Sequence, residues 1–266
     1  MKKNEDLKKI VKSNYSLIAK QSSSVSCCST SGCGCEEPVN ILTKSYTGLK
    51  GYVPDADLKL GCGIPTEFAE LKSGDSLLDL GSGAGNDCFV ARAIVGDKGK
   101  VTGLDFTDEM IAKAINNKEK LGYTNLEFIK GDIEDMPFAD SSFDVIVSNC
   151  VLNLVPDKKK AFSEMYRVLK PGGHFCVSDI VLEGELPSSI KKSAEMYAGC
   201  VSGALQKDDY LGIALIQGFT KIKVHQQIEV PIPDEELKNY LSLKEIEKYK
   251  NSNIGIYSIT VSGYKR

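Results

Sequence analysis

Residues 76–105 carry the pattern that most restricts the fold of this 266-residue chain. The apolar run SLLDL (76–80) is followed by the glycine-rich stretch GSGAG, by a helical stretch around DCFVARAIV and by a second apolar run, KVTGLD (100–105). A strand, a helix and another strand at this period predict a parallel sheet with helices on both faces.

The same alternation continues along the chain. The helix KKAFSEMYRVLK is predicted to end at the Pro171-Gly172-Gly173 run, because proline and glycine stop helices. Further strands are predicted at LEFIKGD (126–132), FDVIVSN (143–149) and HFCVSDI (174–180), with closing strands near the sheet edge at IKVHQQIEV (222–230) and GIYSITVSGYK (255–265). The expected fold class is α/β, mostly parallel, with a closing antiparallel edge strand.

Three regions are predicted: an N-terminal segment (1–60), a sheet core (61–182), and a helical cap with the closing strands (183–266). Residues 21–37 are rich in Ser, Gly and Cys and have no periodicity, so the N-terminal segment is expected to be flexible. Residues 183–218 look helical and are expected to cover the mouth of the site.

Composition excludes several classes of function. A net charge of −3 gives no electrostatic reason to bind nucleic acid or a membrane surface. No apolar run approaches the ~20 residues that span a bilayer, and the N-terminus has no apolar signal-peptide core. We therefore expect a cytoplasmic protein with a small-molecule substrate.

The glycine-rich stretch predicts a cofactor loop at the end of the first strand. Asp79 precedes Gly81, Gly83 and Gly85, and Asp105 ends the next strand, where a carboxylate can accept both hydroxyls of a ribose. A nicotinamide dehydrogenase would use the same kind of sheet, but it would show G-x-G-x-x-G without the leading acid. Both acids could instead have purely structural roles. Asp79 could cap neighbouring backbone amides, and Asp105 could be a charge that stabilises the start of the next helix.

Nine cysteines are more than a chain of this size usually carries, and their odd number and scattered spacing argue against a disulfide scaffold. With only two histidines, a His-rich metal site is excluded as well. The cysteines are Cys27, Cys28, Cys33, Cys35, Cys62, Cys88, Cys150, Cys176 and Cys200.

Three of these cysteines have settings typical of an active site. Cys62 precedes the first strand, Cys150 follows the fourth strand, and Cys200 lies in the predicted cap, so the three thiols could converge where α/β sheets bind ligands. Cys88 and Cys176 are interpreted as buried packing residues. The cluster CCSTSGCGC could instead form a zinc or copper clip or an inert tail.

Four motifs resemble those of class I methyltransferases and cover residues 60–182. These are the acid-and-glycine loop, the ribose acid, GDIEDMPF and LKPGG (169–173). The resemblance implies a Rossmann-like sheet and S-adenosylmethionine as cofactor, with its adenine near Asp132 and Ile133. We assign to this cofactor site Asp79, Gly81, Ser82, Gly83, Gly85, Asp105, Phe106, Asp132, Ile133 and Asn149.

Four more segments resemble the arsenite methyltransferases: LGCGIP, NDCFVAR, SNCVLNLVPDK and the Gly-Cys-x-x-Gly-Ala-Leu segment around Cys200. The resemblance implies that Cys62, Cys150 and Cys200 bind trivalent arsenic, and soft thiolates do select such ions. It also implies that Cys27 or Cys28 takes part in a redox cycle with a thiol co-substrate of the glutathione or thioredoxin type.

The expected function is therefore methyl transfer from S-adenosylmethionine to arsenite, which is an arsenic detoxification reaction. Two alternatives stay open: methylation of another small molecule, such as a quinone or lipid precursor, and thiol-based metalloid binding without catalysis. Because every cofactor motif lies beyond residue 74, removal of residues 1–37 is expected to leave cofactor binding intact.

Overall fold

The computed structural model describes residues 2–21, 45–188, 203–252 and 254–266. The strands in these residues are β1 (Ser76–Leu80), β2 (Lys100–Asp105), β3 (Leu126–Lys130), β4 (Phe143–Asn149), β5 (Leu169–Glu183), β6 (Thr220–Glu229) and β7 (Gly255–Tyr264). They form one seven-stranded sheet in the order β3-β2-β1-β4-β5-β7-β6. All seven strands lie where the sequence predicts them, to within a few residues at either end.

The sheet is parallel from β3 through β1 to β5, and β7 is antiparallel to both of its neighbours. This confirms the predicted mostly parallel sheet with antiparallel closure, although the antiparallel strand lies one position inside the edge and β6 is outermost. β1 lies between β2 and β4, so the strand order reverses there. Ligands of open α/β sheets bind at the carboxyl ends of the strands beside such a reversal.

Helices cover both faces of the sheet. Alternate residues of the strands enter two different hydrophobic clusters. Leu78 and Ile146 pack with α4 (Lys158–Val168) and α5 (Lys207–Ile216), whereas Leu77 and Val145 pack with α2 (Asn86–Val95). A strand buried on both faces has a nearly continuous apolar sequence, as SLLDL and FDVIVSN do. The helices are α1 (Lys2–Gln21), α2 (Asn86–Val95), α3 (Asp108–Leu121), α4 (Lys158–Val168), α5 (Lys207–Ile216), α6 (Asp234–Lys238) and α7 (Leu243–Lys250).

One predicted boundary is wrong. α4 ends at Val168, and β5 begins at Leu169, so the Pro-Gly-Gly run lies inside the strand and not between a helix and a strand. The register of β4 against β5 shifts at this point. Gly172 donates its N–H to Lys265, and Gly173 accepts from the same residue, so pairing with the chain beyond β7 holds the run in the sheet.

The predicted cap falls partly on residues 189–202, which lie outside the described residues, and Cys200 is among them. The described remainder contains α5, which packs on α4 and the sheet: Tyr210 is fully buried against Phe162 with ring centroids 5.7 Å apart. α5 is thus part of the core of the sheet. The boundaries at residues 60 and 182 stay predictions.

The N-terminal segment is helical in its first part. Residues 2–21 form α1, which packs against α3, whereas a flexible segment was expected. Cys27, Cys28, Cys33 and Cys35 lie outside the described residues. No helix in the described part of the chain is long and apolar enough to cross a bilayer.

The ring cluster between α4, α5 and the sheet should dominate stability. Phe162 is completely buried and meets Phe175, Tyr210 and Phe219 edge to face. We expect Phe162→Ala to lower the free energy of unfolding by about 3–5 kcal/mol in urea titrations, through lost contacts and a residual cavity. The control Leu215→Ala, at a side chain that is 56% exposed, should change it by less than ~1 kcal/mol. An equal loss of unfolding free energy in both variants would contradict the dominant role of the ring cluster.

Candidate active site

The loop after β1 needs glycine for conformation and for space. Gly81 and Gly85 have φ angles of 69° and 97°, in the left-handed region that disfavours other residues. A Cβ on Gly81 would lie 2.5 Å from the side chain of Val151, and one on Gly85 would lie 2.7 Å from Phe128. By contrast, a Cβ on Gly83 would face open space with only Met110 nearby, so the middle of the loop faces the cavity.

A cavity opens at the carboxyl ends of β1, β2 and β4, and it holds about 1210 Å³ of empty space when its open mouth is counted. Nine of the ten predicted cofactor residues line it; the exception is Gly85, which is the N-cap of α2. The nine are Asp79, Gly81, Ser82, Gly83, Asp105, Phe106, Asp132, Ile133 and Asn149. The structure thus brings them together, and their part in binding remains a prediction.

The Asp105 carboxylate is held in one orientation by the backbone around it. One of its oxygens accepts from the N–H of Gly83 at 3.0 Å, and the other accepts from Thr107 at 2.8 Å. Burial raises its pKa although these bonds favour the charged form. Asp105 itself lines the cavity, beside the glycine-rich loop.

Two more carboxylates line the same cavity. Asp79 is completely buried and accepts a hydrogen bond from the Cys88 thiol at 3.2 Å; burial and the neighbouring charge of Asp87 raise its pKa well above the ordinary value. Burial raises the pKa of Asp87 to about 6, although the hydroxyl of Tyr46 donates to it at 2.7 Å. Such a pair favours a positively charged ligand, because a nearby cation stabilises ionised carboxylates.

The cavity also offers unused polar atoms. The buried Oγ of Ser82, Oδ1 of Asn86 and Oγ1 of Thr107 have no hydrogen-bond partner within the described residues. All three residues line the cavity. Because buried polar groups are seldom left unsatisfied, these atoms mark positions where a polar ligand can bond.

The Asn149 side chain joins β4 to the segment that contains Cys62. Its Oδ1 accepts from the backbone N–H groups of Cys62 at 3.0 Å and Gly63 at 3.3 Å. Its Nδ2 lies within hydrogen-bond distance of the Gly63 carbonyl and the Tyr46 hydroxyl, both at 2.8 Å, and of Asp87 at 3.2 Å. A Cβ on Gly61 would overlap this amide at 2.5 Å, so the segment has to be glycine-rich to approach it.

Cys62 and Cys150 are brought together at this edge of the sheet. Each is 3% exposed, and both belong to one packed cluster with Ile180 and Ile256. Cys150 has a φ of 60° and donates its N–H to the Ser178 carbonyl at 2.8 Å, which turns the chain sharply at the end of β4. It lines the cavity itself, whereas Cys62 lies between two lining residues, Gly61 and Gly63.

A buried network supports the loop after Cys150. Asp179 is fully buried and accepts from the Tyr210 hydroxyl at 3.1 Å, and burial raises its pKa to about 7. Asn153 donates to the Ile180 carbonyl at 2.7 Å, and Lys158 donates to the Asn153 carbonyl at 3.2 Å. The loop after Cys150 is therefore fixed to β5 and to α4.

The other two described cysteines are packing residues, as predicted. Cys88 and Cys176 are completely buried, and burial raises the pKa of Cys176 to about 12. Among the described residues, no group of three or more Cys, His, Asp and Glu side chains could hold a metal ion. A third thiol for the Cys62 and Cys150 pair would have to come from outside those residues.

Several lining residues were missed by sequence reasoning. Asp87 lies in the NDCFVAR motif but was given no role of its own, and Tyr46 lies in a connector without periodicity. Lys8, Val11 and Tyr15 of α1 also line the cavity. Their i, i+3, i+7 spacing was visible in the sequence, but nothing local indicates which surface a helix will cover.

Comparison with known proteins identifies the family. Residues 71–218 match the family model described as a methyltransferase domain. An X-ray structure of an arsenic(III) S-adenosylmethionine methyltransferase from Chlamydomonas reinhardtii is 39% identical with a TM-score of 0.65, covering 77% of this chain and 67% of that one. The chain belongs to the arsenite methyltransferase family.

Two curated relatives agree with this assignment. The arsenite methyltransferase of Halobacterium salinarum is 42% identical over 201 residues, which is 73% of this chain and 51% of that protein. The arsenite methyltransferase of Aquipseudomonas alcaligenes is 40% identical over 188 residues, which is 68% of this chain and 54% of that protein. The chain thus spans about half the length of the curated arsenite methyltransferases it matches.

The Asn149 amide should control access to the Cys62 thiol. We expect Asn149→Leu to speed alkylation of Cys62 by iodoacetamide about tenfold or more, because two hydrogen bonds worth ~1 kcal/mol each no longer hold its backbone. Mass spectrometry of the labelled peptides measures the rate, and Cys176 in the middle of β5 serves as an internal control. An unchanged rate at Cys62, or equal acceleration at both thiols, would contradict a local role.

Proposed function

We propose that this protein transfers a methyl group from S-adenosylmethionine to trivalent arsenic bound by Cys62, Cys150 and Cys200. The observation that carries the proposal is the hydrogen bond from the Cys62 backbone N–H to the Asn149 side chain. Asn149 directly precedes Cys150 and lines the cavity. It brings two buried thiols, 88 residues apart in sequence, to the site where this family of folds binds its cofactor.

The residues of the cavity fit the proposed cofactor. When bound, S-adenosylmethionine supplies an electrophilic methyl group on a positively charged sulfur. Asp105, Asp132 and Ile133 all line the cavity, and we propose that Asp105 accepts from the ribose hydroxyls while the adenine lies at Asp132 and Ile133. Asp79 and Asp87 favour the positive charge of the sulfonium and amino groups.

Support for Cys200 as the third thiol comes from Gly203, the first described residue after it. Gly203 lies against the loop that follows Cys150, where a Cβ would be 1.9 Å from the Asn153 carbonyl oxygen. Cys200 precedes Gly203 by three residues, and three residues of chain span at most about 11 Å. The position of Gly203 beside this loop supports Cys200 as the proposed third ligand.

Three thiolates around trivalent arsenic leave one lone pair, which can be directed at the methyl group. The protein then acts chiefly by proximity and orientation, which supply ~7–11 kcal/mol in well-oriented reactions. No general base is needed, because the attacking lone pair carries no proton. The burial of both described thiols supports this arrangement, since a dry site keeps water from competing.

The cycle also needs electrons, because attack by the lone pair oxidises arsenic from the trivalent to the pentavalent state. Two thiols can return two electrons by forming one disulfide. We propose that Cys27 or Cys28 takes part, with a bridge to Cys62, and that a glutathione- or thioredoxin-type thiol reduces it. A reducing cytoplasm, the predicted location, would supply that reductant.

The charge of the cofactor should appear in the pH dependence of binding. The pKa of Asp87 is raised to about 6, and a bound cation favours the ionised carboxylate and lowers that pKa. Affinity for S-adenosylmethionine should therefore rise between about pH 5 and pH 7, with proton release on binding. S-adenosylhomocysteine, which lacks the sulfonium charge, should release fewer protons.

Calorimetry in buffers of different ionisation enthalpy measures the protons released. The control Asp87→Asn keeps the shape of the side chain and should flatten the pH dependence between about pH 5 and pH 7. Equal proton release with both ligands, or none with either, would contradict a cation site at the two carboxylates.

The methyl acceptor is tested with arsenite, S-adenosylmethionine and excess glutathione. We expect methylated arsenic from the wild type and from Cys176→Ala, and loss of at least ~100-fold in rate from Cys62→Ala, Cys150→Ala or Cys200→Ala. X-ray absorption of the arsenite complex should show sulfur neighbours only, as soft thiolates select trivalent arsenic.

The outcomes also separate the alternatives. Full activity in Cys150→Ala, or an oxygen-rich shell around arsenic, would exclude the thiol site. Arsenic binding without turnover would indicate a metalloid-binding protein. Cofactor binding without arsenic binding would favour another small acceptor, such as a quinone or lipid precursor.

A further inference from the structure

Helix α1 forms one wall of the cavity, although no cofactor motif lies in it. Lys8, Val11 and Tyr15 face the cavity from one side of the helix, at i, i+3 and i+7. Met110 on α3 and Ile133 after β3 line the same cavity. Val11 is only 9% exposed, so this face of α1 is covered by the rest of the protein.

Ionic contacts fasten α1 to the segment after β3. The Lys8 ammonium lies 2.6 Å from a carboxylate oxygen of Asp132 and also pairs with Glu134. Asp132 itself lines the cavity, and Glu134 is buried, accepting in addition from the backbone N–H of Asp157 at 2.6 Å. Lys8 therefore bridges the helix to the loop on which the adenine is expected to rest.

Three further contacts join α1 to the first turn of α3. Lys12 pairs with Asp108 at 3.0 Å, and Glu109 receives both Ser16 at 2.8 Å and Lys20 at 3.0 Å. Hydrogen bonds from Ser16 and Lys20 lower the pKa of Glu109 to about 2, so it is ionised at physiological pH. Polar contacts thus recur about every four residues along one side of the helix.

We propose that α1 belongs to the cofactor site and holds the nucleoside half of S-adenosylmethionine, with Lys8, Val11 and Tyr15 as its binding wall. This inference rests on the proposed function for the identity of the ligand. It replaces the expectation that residues 1–37 can be removed without effect on cofactor binding.

The contacts that hold α1 in place allow the helix to leave the cavity and return. Ion pairs between partly exposed side chains contribute little individually and are weakened by salt. α1 buries only a narrow apolar stripe that includes Val11 and Ala19. A helix held in this way can leave the cavity for ligand exchange and return without disturbing the core of the sheet.

Binding of S-adenosylhomocysteine and of methylthioadenosine, which lacks the amino-acid half, tests the inference in the full-length chain. We expect Lys8→Met to raise the Kd of both ligands about tenfold and by the same factor. The matched control Lys9→Met, at the exposed neighbouring lysine, should stay within twofold of wild type. Tyr15→Ala, which removes a side chain that lines the cavity, should also raise the Kd of both ligands.

Hydrogen exchange supplies a readout that is independent of affinity. S-adenosylhomocysteine should protect the amides of α1 in the wild type, and Lys8→Met should reduce that protection. Binding that is equal in Lys8→Met and wild type, with α1 unprotected, would overturn this inference alone. Failure of the wild type to bind S-adenosylhomocysteine would overturn the proposed function together with it.

Discussion

The active site depends on one partly buried amide. Asn149 ends the central strand β4, and its side chain satisfies two backbone donors and one acceptor of the Cys62 segment, with Tyr46 and Asp87 completing its hydrogen bonds. An amide whose hydrogen bonds are all made fixes geometry more strictly than apolar contact does. The Cys62 segment is thereby tied to the rigid sheet.

Much of the fold could be predicted because its signals are local. The alternation of apolar strands with helices located all seven strands, and the acid-and-glycine loop located the cavity. The α4–β5 boundary was wrong because Pro171-Gly172-Gly173 looks like a breaker, whereas pairing with Lys265 keeps it in the sheet. That pairing joins residues far apart in sequence, which local patterns do not encode.

The rest of the site could not be predicted for the same reason. Asn149 was assigned to the cofactor, yet its described bonds are to backbone and side chains of other segments. Tyr46 gave no signal in its irregular connector, and the amphipathic pattern of α1 did not indicate which surface the helix would cover. Predicted thiols could be located by motif, but what holds them in place comes from the tertiary structure.

The position of β7 has a consequence for the order of assembly during synthesis. Ser258 in this strand donates to the Cys62 carbonyl at 2.6 Å, a contact between residues 196 positions apart. Contacts this distant in sequence form late, because a long stretch of chain must first be closed into a loop. The Cys62 segment therefore reaches its final geometry only after residue 258 has left the ribosome, and a shorter nascent chain presents the thiol without this support.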